Sequence, residues 1–243
     1  MAEYNKIRGN IAPILSSDDS RYPHLYKVPV LSDDWYFSVY SNYHYDYEND
    51  DEYSHTNGMN FFKAMFQNGW KKPQIAAMLG NMCQESTLNC GMWEHAKGGT
   101  APIPANDYSA AAENQGFGLV QWTPASKLCA WSNAVFGSGD LQYPYWYSGS
   151  VQVARIMWEL ENGGQWNSAN PLGYKTFREF YDSDVTDIGS LCACFFFGYE
   201  QAGQTIWNAT GQTRVKYALQ WAERVKAYIP TWLIIKAAEG DIL

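Results

Sequence analysis

The stretch from Met78 to Glu94, MLGNMCQESTLNCGMWE, reads as the end of an apolar helix that carries one acid, Glu85. The apolar positions before it are Ile75, Met78, Leu79 and Met82, and a further step of three residues lands on Glu85. That pattern puts the carboxyl on the buried face and in the last turn, where the helix dipole disfavours an anion. Desolvation and the dipole both favour the protonated form, so its pKa is expected to be raised. A carboxylic acid that keeps its proton near neutrality can protonate the leaving oxygen of a glycosidic bond. The plainer reading is an acid that pairs with a base or caps a neighbouring loop, since buried acids are commonly paired.

A second constellation follows in NQGFGLVQWTP, Asn114 to Pro124. Gly116 and Gly118 flank Phe117, and glycines there permit a close backbone approach or a left-handed turn. Gln121 brings an amide donor and acceptor suited to sugar hydroxyls and N-acetyl groups. Its plainer reading is a tight turn packed by Trp122.

These residues have to be positioned by a chain of 243 residues, enough for one good-sized core or a core with an appendage. Hydrophobic residues make up 46% and charged residues 17%, a globular composition. Aromatic residues are high at 16%, and such faces either line a core or stack on sugar rings and bases. The net charge of -8 and pI of about 5.0 argue against nucleic-acid binding, which needs a basic surface. The N-terminus lacks a basic region followed by a long apolar run, so no secretory signal is expected. YIPTWLIIKAA is far short of the roughly 20 apolar residues of a spanning helix. Five cysteines at 83, 90, 129, 192 and 194 suit buried thiols of a protein made in a reducing cytoplasm. Cys83, Cys90 and His95 match no common zinc spacing, and neither a metal nor an organic cofactor is expected.

Residues 1–57 form a Tyr-rich, acidic leader, either an arm wrapping the main domain or an attachment to a partner. Alternation around Trp35 to Tyr45 allows a short strand in it. From Gly58 the texture is helical, with stripes at Phe61–Phe66, Pro73–Thr87, Thr123–Phe136, Val151–Glu161, Phe177–Tyr181 and Arg214–Ile229. Asn89–Cys90–Gly91 is the expected stop of the second helix. The Gly- and Pro-rich residues 94–118 read as irregular structure or a small hairpin, and 230–243 form an apolar tail. The expected fold class is α+β, predominantly α: one domain over 58–229 with an extended leader.

Taken together and in this order, AAMLGNMCQESTLNCGMWE and GFGLVQWTPASKL resemble the phage tail lysozyme family, the peptidoglycan-cleaving domain of tail-tip or tail-knob proteins. RIMWELENGGQW, KTFREFYDS, FFFGYEQAG and YALQWAERV extend the resemblance over residues 58–229. It is similar, too, to the wider lysozyme and lytic-transglycosylase superfamily, whose members share a Glu–Ser at a helix end, a Gly-x-x-Gln-type turn and a late Tyr-bearing helix. The resemblance implies a lysozyme-like fold with Glu85 as general acid and Ser86 as its conformational partner. It implies Gln121 in the sugar cleft and Tyr199 near the acid, with Trp122 either cleft wall or core, core being preferred. Glu200 matches a family acid and is expected to pair with a base. Cys90 stands where the family usually has proline.

An inverting glycosidase wants a second carboxylate about 6.5–9.5 Å from the acid, and a retaining one a nucleophile at about 5–5.5 Å. Glu94 is the first choice for that group, followed by Asp107 and then Glu113. The implied activity is that of a muramidase cleaving the β-1,4 bond between N-acetylmuramic acid and N-acetylglucosamine. A lytic transglycosylase, which needs no second carboxylate, is the alternative on the same bond. A tail-tip plug without activity is the alternative from another class. The implied partners are peptidoglycan strands, and other tail proteins through the leader and tail, with the chain assembled into a virion in the host cytoplasm.

Overall fold

A computed structural model of the chain describes residues 5–8, 34–37, 52–94, 115–137 and 145–228. Its helices are α1 (Glu52–Gln67), α2 (Lys72–Ser86), α3 (Ser126–Phe136), α4 (Gly149–Asn162), α5 (Phe177–Asp182), α6 (Ile188–Phe195) and α7 (Gln204–Lys226). A 3-10 turn at Tyr145–Tyr147 leads into α4, and a π-helical turn at Phe196–Glu200 continues α6. Strands β1 (Asn5–Arg8) and β2 (Asp34–Phe37) pair antiparallel, with Ile7 opposite Trp35. The only other pairing among the described residues is a pair of isolated bridges, Trp93 to Phe117 and Phe117 to Trp122. The fold is therefore mainly helical. The rest of the leader, most of the 94–118 loop with Asp107 and Glu113, and the 230–243 tail lie outside the described residues.

α2 is the central element. Pro73 sits in its first turn, and the Gln74 side chain accepts from the Lys71 N–H at 3.1 Å. The helix ends at Ser86, before the expected Asn89–Gly91 stop, because Thr87 and Leu88 take left-handed φ of 54° and 61° without a glycine. α1 holds that conformation in place. Ser54 Oγ donates to the Thr87 carbonyl and Asn57 Nδ2 to the Leu88 carbonyl, both at 2.8 Å. α1 itself begins at Glu52, and so runs through the expected 57/58 boundary.

Every residue of α2 from Gln74 to Cys83 is buried, and the helix packs chiefly against α7 and α6. A Cβ on Gly80 would lie 2.5 Å from both the Arg214 carbonyl oxygen and the Ala218 Cβ, so the α2 and α7 backbones touch there. Gly80→Val should cost about 1–3 kcal/mol in urea unfolding, because backbone rather than a flexible side chain occupies the space. A variant as stable as the parent would contradict this packing.

α7 starts at Gln204, ten residues ahead of the expected Arg214. Its first turns carry no apolar stripe to read. They are supported by their own side chains, Gln204 Nε2 to Asn208 Oδ1 at 2.8 Å and Thr210 Oγ1 to the Ile206 carbonyl at 2.9 Å. Most of the described aromatic residues serve the core. Trp70, Phe177, Phe180, Phe195 and Tyr199 form one ring cluster, and Trp93, Phe117, Trp146 and Tyr147 form another. Trp35 of β2 is buried against Gly149, where a Cβ would meet its ring at 2.0 Å, so that part of the leader docks on α4. All five cysteines are buried, and none is in a disulfide. Among the described residues no helix is long and apolar enough to cross a membrane.

Candidate functional site

The end of α2, the start of α7 and the glycine-flanked turn enclose a cleft of about 560 Å³, inside the range of about 300–1,000 Å³ usual for ligand sites. Glu85, Glu200 and Arg214 line it, facing Glu94 and Gln121, while Ile206 and Thr210 of α7 complete one side.

The turn wall is a short ribbon. The Glu94 N–H donates to the Gly116 carbonyl at 2.8 Å, and the Gly118 N–H donates to the Met92 carbonyl at 2.9 Å. Glu94 is exposed, yet its Oε2 accepts from the Gly116 N–H at 2.9 Å, which fixes the carboxylate on the cleft wall. Gly118 has φ +82°, and a Cβ there would lie 2.7 Å from Gln152 Oε1. The missing side chain lets Gln152 reach the turn, where its Oε1 accepts from the Leu119 N–H at 2.8 Å. Gln152 Nε2 donates to the carbonyls of Cys90 and Trp146, so one buried amide joins three segments.

The site residues expected from the sequence divide into two groups. Glu85, Glu94 and Gln121 share the cleft. Gln121 also braces the wall, its Nε2 donating to the carbonyls of Met92 and Gly118 at 3.0 and 2.9 Å. Ser86, Trp122 and Tyr199 are buried and do not line the cleft. Ser86 Oγ donates to the carbonyls of Met82 and Leu119, at 3.1 and 2.9 Å, and so ties the end of α2 to the turn. Trp122 Nε1, at 3.5 Å, and the Tyr199 hydroxyl both donate to Oε2 of Glu159 on α4. Arg155 Nε donates to the other oxygen of Glu159 at 2.8 Å and stacks over Trp158. Burial raises the Glu159 pKa, with the Arg155 charge opposing it. This buried network anchors Tyr199, and the next residue along the π-turn, Glu200, lies on the cleft.

The setting of Glu85 differs from the one its apolar stripe suggests. α2 is buried on almost every side, so the stripe defines no single inner face, and the last turn opens into the cleft. The Glu85 side chain is 23% exposed and forms an ion pair with Arg214 Nη2. Arg214, only 3% exposed, also donates from Nη1 to Glu200 Oε2 at 3.0 Å and to Asn81 Oδ1 at 3.2 Å. Its Nε reaches Thr210 Oγ1 at 3.0 Å, and its guanidinium lies over the Phe196 ring. The carboxyl held well above the ordinary range here is that of Glu200: burial acts first, then the neighbouring charge of Glu85, with Arg214 opposing both.

Sequence reasoning expected a basic partner for Glu200 without naming Arg214. The signal is present in α7, whose buried face is Gly211, Arg214, Ala218, Trp221 and Val225, a stripe with one cation in it. Leu219 of the same helix, apolar though it is, lies off that face and is 53% exposed.

An acid at a helix end, opening on a cleft walled by a glycine-rich turn in a mainly helical fold, defines a lysozyme-like domain. The chain belongs to the phage tail lysozyme family, whose model matches residues 56–225. It is similar to Morphogenesis protein 1 of Bacillus phage B103, with 33% identity over 145 residues. That match covers 60% of this chain and 33% of the relative, so the chain spans about a third of the relative's length.

Proposed function

We propose that the chain is a virion-borne muramidase that cleaves the β-1,4 bond between N-acetylmuramic acid and N-acetylglucosamine during entry through the host wall. The observation that carries this reading is the pairing across one cleft of Glu85, at the end of α2, with the wall-fixed Glu94. Glu85 donates its proton to the glycosidic oxygen as the bond to the anomeric carbon breaks, and the bonding electrons leave with that oxygen. Glu94 takes a proton from the water that adds to the oxocarbenium-like sugar. Gln121 supports the wall on which the sugar rests.

Membership of a tail lysozyme family supports a place in the particle, and the relative's name, a morphogenesis protein, agrees with a structural component. Docking of Trp35 on α4 supports a leader that is partly built into the domain, and attachment to other tail proteins is assigned to the leader and the tail. The test is mass spectrometry of murein digested by the purified chain. Reducing N-acetylmuramic ends are expected. Products ending in 1,6-anhydro sugars would replace hydrolysis with internal attack by the 6-hydroxyl, the transglycosylase reaction.

A further inference from the structure

We propose that Glu200 holds the proton that Glu85 delivers, the two carboxyl groups sharing one proton beside the single guanidinium of Arg214. This rests on Glu85 being the general acid. An ion pair with a guanidinium favours the charged form of a carboxyl, whereas a general acid has to be protonated at its working pH. Glu85 faces that conflict, because Arg214 Nη2 is bonded to it. The second carboxyl resolves it.

Arg214 supplies one positive charge to two carboxyl groups, Nη2 to Glu85 and Nη1 to Glu200 at 3.0 Å. Two carboxylates held this close do not both ionise readily. The other groups against them add no cation among the described residues: Asn81 of α2 and Thr210 of α7 are neutral, and burial raises the Cys192 thiol of α6, near Cys83, to about 12.

Independent of charge, Glu200 Oε1 is buried and has no donor, although the side chain is only 4% exposed. A buried carboxylate oxygen without a donor is costly. As a carboxylic acid the group becomes the donor itself, and the Glu85 carboxylate, held beside it on the same guanidinium, is the acceptor. The raised proton affinity of Glu200 agrees with this arrangement.

During the reaction the one shared proton passes from the Glu200 hydroxyl to Glu85 and from Glu85 to the glycosidic oxygen. The pair is then doubly ionised and held by Arg214. The proton released by the adding water returns to it through the cleft solvent. Glu200 thus acts through Glu85 and positions a proton, without touching the sugar.

The test compares pH profiles of murein clearing for the parent, Glu200→Gln and Glu85→Gln, alongside ¹³C NMR titration of the glutamate carboxyls. In Glu200→Gln, Glu85 faces Arg214 alone, so the alkaline limb should move to lower pH by about 1–3 pH units with activity retained in acid. In the NMR titration a high-titrating carboxyl should be present in the parent, absent in Glu200→Gln, and shifted down in Glu85→Gln. Loss of activity in Glu200→Gln at every pH with an unmoved limb would overturn the proposal, as would a high-titrating carboxyl indifferent to Glu85→Gln. A parent that clears no murein would instead refute the hydrolase reading, and the titration would still decide whether the proton is shared.

Discussion

Glu85→Gln is expected to reduce murein clearing by about 10²–10⁴-fold, the usual worth of a positioned general acid, while leaving the fold at least as stable. Glutamine keeps the size and the acceptor oxygen that Arg214 Nη2 uses, but has no proton to give at working pH. The stability half of this expectation follows from charge. In the parent, two carboxyl groups crowd one guanidinium, and removing one relieves the repulsion that raises Glu200. An inactive protein with an unchanged or higher melting temperature is the signature of a residue kept for chemistry at some expense of stability. Clearing equal to that of the parent would sink Glu85 catalysis and favour a structural role in the particle.

Arg214→Met is the complementary case, with a loss of about 3–5 kcal/mol expected when one member of a buried charge network is removed. Methionine fills much of the volume over Phe196, so the loss comes mainly from charge. The effect should therefore depend on pH. The folded-state pKa of Glu200 lies above its unfolded value, so protonation favours the fold; that contribution is complete below the ordinary carboxylate range and is lost as pH rises through the raised value. Without Arg214 nothing opposes the rise. The variant should approach the parent in acid and fall away from it as pH increases, in urea unfolding followed across pH. Adding Glu200→Gln should restore part of the stability at high pH. A deficit that is constant with pH would show that Arg214 matters for packing alone.

The helices were legible to the extent that an apolar stripe faced a core. α2 and α4 showed theirs, whereas the first turns of α7 had no stripe because polar i,i+4 bonds support them. The stop of α2 was misplaced because α1 stabilises left-handed Thr87 and Leu88, a contact from residues more than thirty positions away. Ser86, Trp122 and Tyr199 were identifiable as members of the motifs, but their side chains turn inward. Ser86 ties backbone segments together, while Trp122 and Tyr199 meet on Glu159, a residue unremarkable in its own helix.

By itself the sequence determined the helical class, the acid at the end of an apolar helix and the glycine-flanked turn that follows it, because these depend on local spacing. Tertiary structure alone decided what surrounds the acid. Gly80 lets the α7 backbone lie against α2, and that contact brings Arg214 to Glu85 from 129 residues away and sets Glu200 beside both. Whether a carboxyl keeps its proton depends on the charges and solvent within a few ångströms of it, and no local spacing records which distant residues arrive there.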